Sequence, residues 1–224
     1  MKTTPKSTKW IDFAVIIASL IVIGISAWWL WQSNVFNFTL SQDEKLSWHL
    51  VRSSGMVAYI LLLVSTVWGL FISSQFVKDW SPGPVSVTLH STISWMALLL
   101  SLAHALLLLF DDYFTYTLAD IFIPFTGPYR PAMVGLGTLA FWTIVVVSLS
   151  FPLKKRIGHK MWKYLHYTSY LAFSMVSLHG LFAGTDGHLL GFRLLIAMGV
   201  IVVIGLLSLR MRKDNAKVVP QRAT

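Results

Sequence analysis

The stretch that decides the fold is His90-Ser-Thr-Ile-Ser-Trp-Met-Ala-Leu-Leu-Leu-Ser-Leu-Ala-His104, in which two histidines enclose thirteen residues without one charge. It lies inside a longer apolar run, residues 85–110, that is long enough to cross a hydrocarbon core of about 30 Å as a helix. Ionisable side chains are costly inside a membrane and usually mark a function there. The stretch therefore predicts a membrane helix that carries part of a functional site.

The composition of the whole chain points the same way. Of 224 residues, 55% are hydrophobic and only 12% are charged, whereas an ordinary soluble domain has about 25% charged residues. This composition excludes a soluble protein, because so few charges cannot cover its surface. The chain contains no cysteine, which also excludes disulfides, thiolate metal sites and cysteine nucleophiles.

Six segments are apolar enough to span a membrane, and together they predict an all-α, six-helix transmembrane bundle that forms one domain over residues 1–224. The first follows three lysines, as a signal peptide would, but its apolar run is too long and no A-x-A site follows it. We therefore interpret it as a retained span. The predicted spans are residues 13–31, 53–77, 85–110, 132–151, 164–185 and 188–209.

The basic residues are sorted by side of the membrane. Of the 18 Lys and Arg residues, only Lys45, Arg52, Arg130 and Arg193 fall on the side opposite the N-terminus. Positive charge accumulates on the cytoplasmic side, so both termini are expected to be cytoplasmic in a multi-pass protein of the cell inner (plasma) membrane. This asymmetry accounts for most of the net charge of +9, which makes the lipid bilayer the expected partner and argues against nucleic acid.

Four histidines lie deep within two of the predicted spans. His90 and His104 are on span 85–110, and His166 and His179 are on span 164–185, which runs in the same direction. His104 and His179 each precede an outer aspartate by seven residues, and the spacing within each span corresponds to about 20 Å along a helix. Matching the depths pairs His90 with His166 on the inner side and His104 with His179 on the outer side.

Two imidazoles at one level suit a haem. Zinc prefers four protein or water ligands, whereas haem iron needs only two axial ligands, and two histidines make a closed site suited to electron transfer. The pattern predicts two haem groups whose iron ligands are His90 with His166 and His104 with His179. The sequence leaves open a flavin or quinone cofactor and shows no nucleotide-binding motif.

Two alternatives stay open from the residues alone. Histidines in membrane helices also form hydrogen bonds between helices, and a chain of them can relay protons, so a non-redox transporter or sensor is the competing class. The spacing on span 164–185 is also awkward, because thirteen residues turn an ideal helix by about 140° away from the starting face. Tilt, curvature or a π-bulge would reconcile it.

The local sequence around the histidines resembles the ferric reductase-like transmembrane domain over about residues 48–186. The resemblance depends on four short motifs: Leu-Val-Arg52-Ser-Ser-Gly55, Leu89-His90, Trp162-Lys-Tyr-Leu-His166-Tyr and Leu178-His179-Gly180. That family includes the membrane halves of NADPH oxidases and ferric reductases, and the haem subunit of methionine-sulfoxide reductase.

The resemblance implies a six-helix core with two b-type haems and electron flow from the cytoplasmic side outward. It implies a membrane oxidoreductase component without its own FAD/NADPH domain. The electron donor would then be a separate cytoplasmic-side protein, such as a flavoprotein, or a quinol. The acceptor would be ferric iron, oxygen or a periplasmic redox partner.

Basic and small side chains near the histidine levels are secondary candidates. Arg52 lies near the depth of the outer pair and Lys163 lies three residues before His166, so both are predicted to bind haem propionates, because cations pair with carboxylates. An interfacial anchor and ordinary positive-inside topology are the competing explanations. Trp95 and Phe173 lie between the two levels, and Gly55, Gly135, Gly137 and Gly180 would allow close approach of a porphyrin or another helix.

Overall fold

The computed structural model describes residues 46–78, 81–111 and 113–218, the last six as backbone only. All of them belong to the second of two compact units, which begins at Lys45. The predicted first span, residues 13–31, lies outside the described residues. Within the described ranges the chain is helical and has no strand. The α-helices are α1 (Leu46–Ser73), α2 (Gly83–Leu107), α3 (Leu118–Phe122), α4 (Pro131–Ile157), α5 (His159–Phe182) and α6 (Leu190–Val218).

The helix ends follow from local sequence. Proline occupies the first turn of α2 and of α4, where its missing N–H would have had no partner in the helix. Gly158 is the one residue between α4 and α5, and its φ of 82° lies in a region that glycine adopts without strain. The last turn of α4 contains Lys154, Lys155 and Arg156, which face the negative end of the helix dipole.

The helices pack mainly as two antiparallel pairs, α1 with α2 and α4 with α5, and α6 packs against α1. The core combines aliphatic side chains, among them Leu62 and Leu98, with small and aromatic ones. Ala140 and Ala172 are completely buried, which lets the helices approach closely. Tyr59 of α1 stacks on Phe173 of α5 with ring centroids 6.0 Å apart, and its hydroxyl lies 3.4 Å from that of Ser177.

Four of the described helices are long and apolar enough to cross a membrane. They are Leu46–Ser73, Gly83–Phe110, Pro131–Ile157 and Leu190–Arg212. Their outward surfaces are apolar as well: Leu99 is 61% exposed, Met198 is 64% exposed and Ile201 is 68% exposed. Large aliphatic side chains on the outside of a helix bundle suit a lipid environment, so the chain is compatible with a multi-pass membrane protein.

Helix α5, which corresponds to the predicted span 164–185, is not among those four. It has 24 residues but includes Lys160, Lys163 and three histidines, which lower its mean hydropathy. It is α-helical from His159 to Phe182. The awkward thirteen-residue spacing is therefore accommodated without a π-bulge.

Candidate functional site

The four partly buried histidines meet in two pairs between α2 and α5. The rings of His90 and His166 have centroids 6.0 Å apart and planes at 74°. The rings of His104 and His179 have centroids 6.3 Å apart and planes at 82°. These are the two pairs that depth matching predicts. The rings thus meet at two levels of the bundle.

The centroid distances fit two imidazoles bound to opposite sides of one metal. A metal–imidazole bond is about 2 Å long and the ring nitrogen lies about 1 Å from the centroid, so such centroids are about 6 Å apart. Both pairs have this separation. The described residues include no group of three or more His, Cys, Asp or Glu side chains placed to hold one ion, and each level offers two imidazoles.

Three of the four histidines are anchored to a backbone carbonyl on a neighbouring helix. Nδ1 of His104 donates to the carbonyl of Val51 at 2.8 Å, and Nδ1 of His179 donates to that of Met133 at 2.9 Å. Nδ1 of His90 lies 3.1 Å from the carbonyl of Ser65. A carbonyl can only accept, so Nδ1 carries the proton and Nε2 keeps a free lone pair.

Each anchored ring lies against a glycine of the helix that supplies the carbonyl. A Cβ added at Gly55 would be 2.8 Å from Cε1 of His104, and one at Gly137 would be 2.7 Å from Nδ1 of His179. A Cβ at Gly69 would be 3.0 Å from Cε1 of His90. Sequence reasoning named Gly55 and Gly137 but missed Gly69. The other two named glycines have different neighbours: Gly135 faces Phe125, and Gly180 faces α6.

His166 is held differently. Its ring stacks on Trp162, one turn earlier on α5, with centroids 5.2 Å apart and planes at 24°. Within the described part of the chain, neither of its ring nitrogens has a hydrogen-bond partner. Nε1 of Trp162 is buried without a hydrogen-bond partner, and Nζ of Lys154 lies 4.1 Å from the centroid of a Trp162 ring. The inner pair is therefore oriented by the carbonyl and hydroxyl of Ser65 and by one aromatic stack.

A cavity of about 770 Å³ opens beside the outer pair. Its volume is within the range of about 300–1,000 Å³ typical of ligand sites. Besides His104 and His179, its wall includes residues of the segment between α2 and α4, among them Tyr116 and Asp120. Hydrogen bonds from the Thr117 side chain and backbone lower the pKa of Asp120, so this carboxylate is ionised at neutral pH.

Arg52 lines the same cavity but already has an acidic partner. Its Nε donates to Oδ2 of Asp186 at 2.8 Å, and a second hydrogen bond joins Nη2 to Oδ1. Its guanidinium also lies over the ring of Trp48 at 4.0 Å. Sequence reasoning treated Asp186 only as a depth marker and so missed this bidentate pair.

The remaining predicted residues fall into different environments. Lys163 is exposed, and its Nζ lies 5.7 Å from the ring centroid of Tyr167, so Lys154 is the lysine that packs beside the inner pair. Phe173 is buried in the core between the two levels, whereas Trp95 is 39% exposed. Packing between the levels therefore falls to Phe173 and Tyr59.

Comparison of the chain with protein-family models, with curated proteins and with solved structures found no match.

Proposed function

We propose that this chain is a bis-haem b membrane protein that carries electrons across the bilayer. The observation that carries the proposal is the pair of imidazole pairs, with ring centroids 6.0 Å and 6.3 Å apart at two levels of one bundle. A haem bound at each level would supply one-electron chemistry at its iron. The residues of the chain hold, orient and shield the two groups.

The residues present fit a haem at each level in three respects. The ring separation matches axial ligation, the anchored tautomer leaves Nε2 of three histidines free to bind a metal, and the glycines keep the rings close to the neighbouring helices. The unpartnered Nε1 of Trp162 and the nearby Lys154 are suited to a carboxylate, such as a propionate of an inner haem. At the outer level Arg52 is the corresponding candidate to bind a haem propionate, although its guanidinium also pairs with Asp186.

The proposed path runs from the cytoplasmic side outward, as the resemblance to the ferric reductase-like domain implies. The proposal includes six membrane spans, which are the four apolar helices together with residues 13–31 and α5. The protein would lie in the cell inner membrane with both termini in the cytoplasm. Electrons would enter from a separate flavoprotein or a quinol and leave to ferric iron, oxygen or a periplasmic redox partner. The basic residues at the α4–α5 turn would suit an acidic donor protein.

The optical spectrum of the purified protein tests the proposal. Protein from haem-replete cells should contain two low-spin haem b groups per chain, measured by the pyridine haemochrome method against protein concentration. A colourless, haem-free preparation that is monodisperse in detergent would contradict it. That result would favour the competing class, a transporter or sensor whose histidines are structural or relay protons.

A further inference from the structure

The same local arrangement occurs three times around the histidines. In each case a ring lies over a glycine, and its Nδ1 is bonded to the carbonyl four residues before that glycine. The three sets are His104 with Gly55 and Val51, His90 with Gly69 and Ser65, and His179 with Gly137 and Met133. We call this arrangement the glycine cradle.

The cradle depends on the missing side chain. In an α-helix the carbonyl four residues before the glycine already accepts the glycine N–H, so the histidine uses its second lone pair. An alanine Cβ would be 2.7–3.0 Å from the ring atoms, closer than carbon and nitrogen atoms normally approach. The ring would have to move, and the distance from Nδ1 to the carbonyl would change with it.

We propose that Gly55, Gly69 and Gly137 are positioning residues for the axial ligands of the proposed haems, an inference that rests on the proposed function. Each glycine lets the neighbouring carbonyl fix the Nδ1 proton, which leaves Nε2 free to bind the metal. A hydrogen bond of this kind fixes the tautomer of a metal-binding histidine and raises its basicity. The glycines thus act through the histidines and do not touch the metal.

The two levels differ in how many cradles they have. Both histidines of the outer pair are cradled, by α1 and by α4. At the inner level only His90 is cradled, and His166 is stacked on Trp162. Each substitution should therefore affect one level: Gly55→Ala and Gly137→Ala the outer haem, and Gly69→Ala the inner haem.

The experiment compares the full-length protein with these three variants and with Gly205→Ala as the matched control. Gly205 is also a helical glycine, and an added Cβ there meets no atom within 4 Å. The readouts are haem content per chain, the electron paramagnetic resonance (EPR) spectrum of the oxidised low-spin haems, and the midpoint potential of each haem. Each cradle variant should lose its own haem or show a shifted signal and potential for it, while the haem at the other level and the control spectrum are unchanged.

The haem that remains serves as the folding control for each variant. If haem content, EPR signals and potentials all survive the three substitutions, the positioning role is wrong while the proposed function stands. If each variant lost both haems equally, the glycines would be needed for folding, and the inference would again be overturned. A wild-type protein without haem would overturn both proposals.

Discussion

At the scale of single residues, the decisive feature is that each predicted ligand has one specific partner ring. Replacing either member of a pair with alanine leaves a single imidazole, which cannot hold a low-spin bis-histidine haem. We expect His90→Ala and His166→Ala to lose the same inner haem, and His104→Ala and His179→Ala to lose the same outer haem. Haem content and the optical spectrum of each purified variant measure this loss.

The matched control for these variants is His49→Ala. His49 is exposed, and its ring contacts that of Trp48 with centroids 4.8 Å apart. This variant should retain both haems. An unchanged haem content in any of the four paired variants would remove that residue from the ligand set.

The pairing of the histidines could be predicted from the sequence, whereas their hydrogen-bond partners could not. The pairing of the rings follows from depth alone, because the third and fifth predicted spans run in one direction and matched depths meet. Gly69 was missed although its signal is in the sequence: Gly55 and Gly69 have the same fourteen-residue spacing as His90 and His104. Because the two helices are antiparallel and the spacings are equal, Gly55 lies at the level of His104 and Gly69 at the level of His90. The Nδ1 bonds were not predictable, since they depend on the distance between helices.

At the scale of the elements, the predicted spans locate the helices but not their ends. Span 53–77 was predicted to begin after Arg52, yet α1 already includes Leu46 to Arg52, and Asp186 pairs with the charge of Arg52 there. Span 132–151 was predicted to stop before Pro152, yet α4 continues to Ile157. The length of an apolar segment reflects the thickness of the bilayer core. A helix can extend beyond that segment as long as its backbone hydrogen bonds continue.

The Arg52–Asp186 ion pair joins α1 to the turn after α5, and its removal should loosen that junction. The Arg52 side chain is 28% exposed and that of Asp186 is 9% exposed, so Arg52→Ala would leave a nearly buried carboxylate without its partner. We expect a loss of about 1–3 kcal/mol in the free energy of unfolding. Thermal or denaturant unfolding in detergent, followed by tryptophan fluorescence, measures it.

A double-mutant cycle separates this pair from general packing. Removing both charges in Arg52→Ala/Asp186→Ala should be less destabilising than the sum of the single substitutions, because neither charge is then left unpaired. Additive effects of the two substitutions would mean that the pair contributes no coupling. If the double variant also kept both haems, Arg52 would not be required to hold an outer haem.

At the scale of the whole molecule, the absence of cysteine in the sequence makes a direct topology test possible. Thr126 is exposed between α3 and α4, and Lys155 is exposed at the end of α4, so a single cysteine at either position reports its side of the membrane. In intact cells with a permeable outer envelope, a membrane-impermeant maleimide should label Thr126→Cys. Lys155→Cys should be labelled only after the inner membrane is opened.

The unsubstituted protein, which has no thiol, is the control for background labelling. Lys217→Cys extends the same test to the C-terminal end of α6, which we expect on the side of Lys155. Labelling of Lys155→Cys or Lys217→Cys in intact cells would contradict cytoplasmic termini. Equal labelling of Thr126→Cys and Lys155→Cys would contradict a transmembrane arrangement.

Because the histidine pairs lie at two levels, we expect the intact protein to conduct electrons across a membrane. The levels are separated by about 20 Å along the helices, so two haems would divide a hydrocarbon core of about 30 Å into short steps. In liposomes that contain the protein and enclose ferricyanide, external dithionite should bleach the enclosed ferricyanide faster than in protein-free liposomes. His104→Ala and His90→Ala should each reduce that rate to the protein-free value, because either loss leaves a gap too long for rapid transfer. His49→Ala should keep the wild-type rate, and a His104→Ala protein as fast as wild type would mean that electrons do not pass through the outer pair.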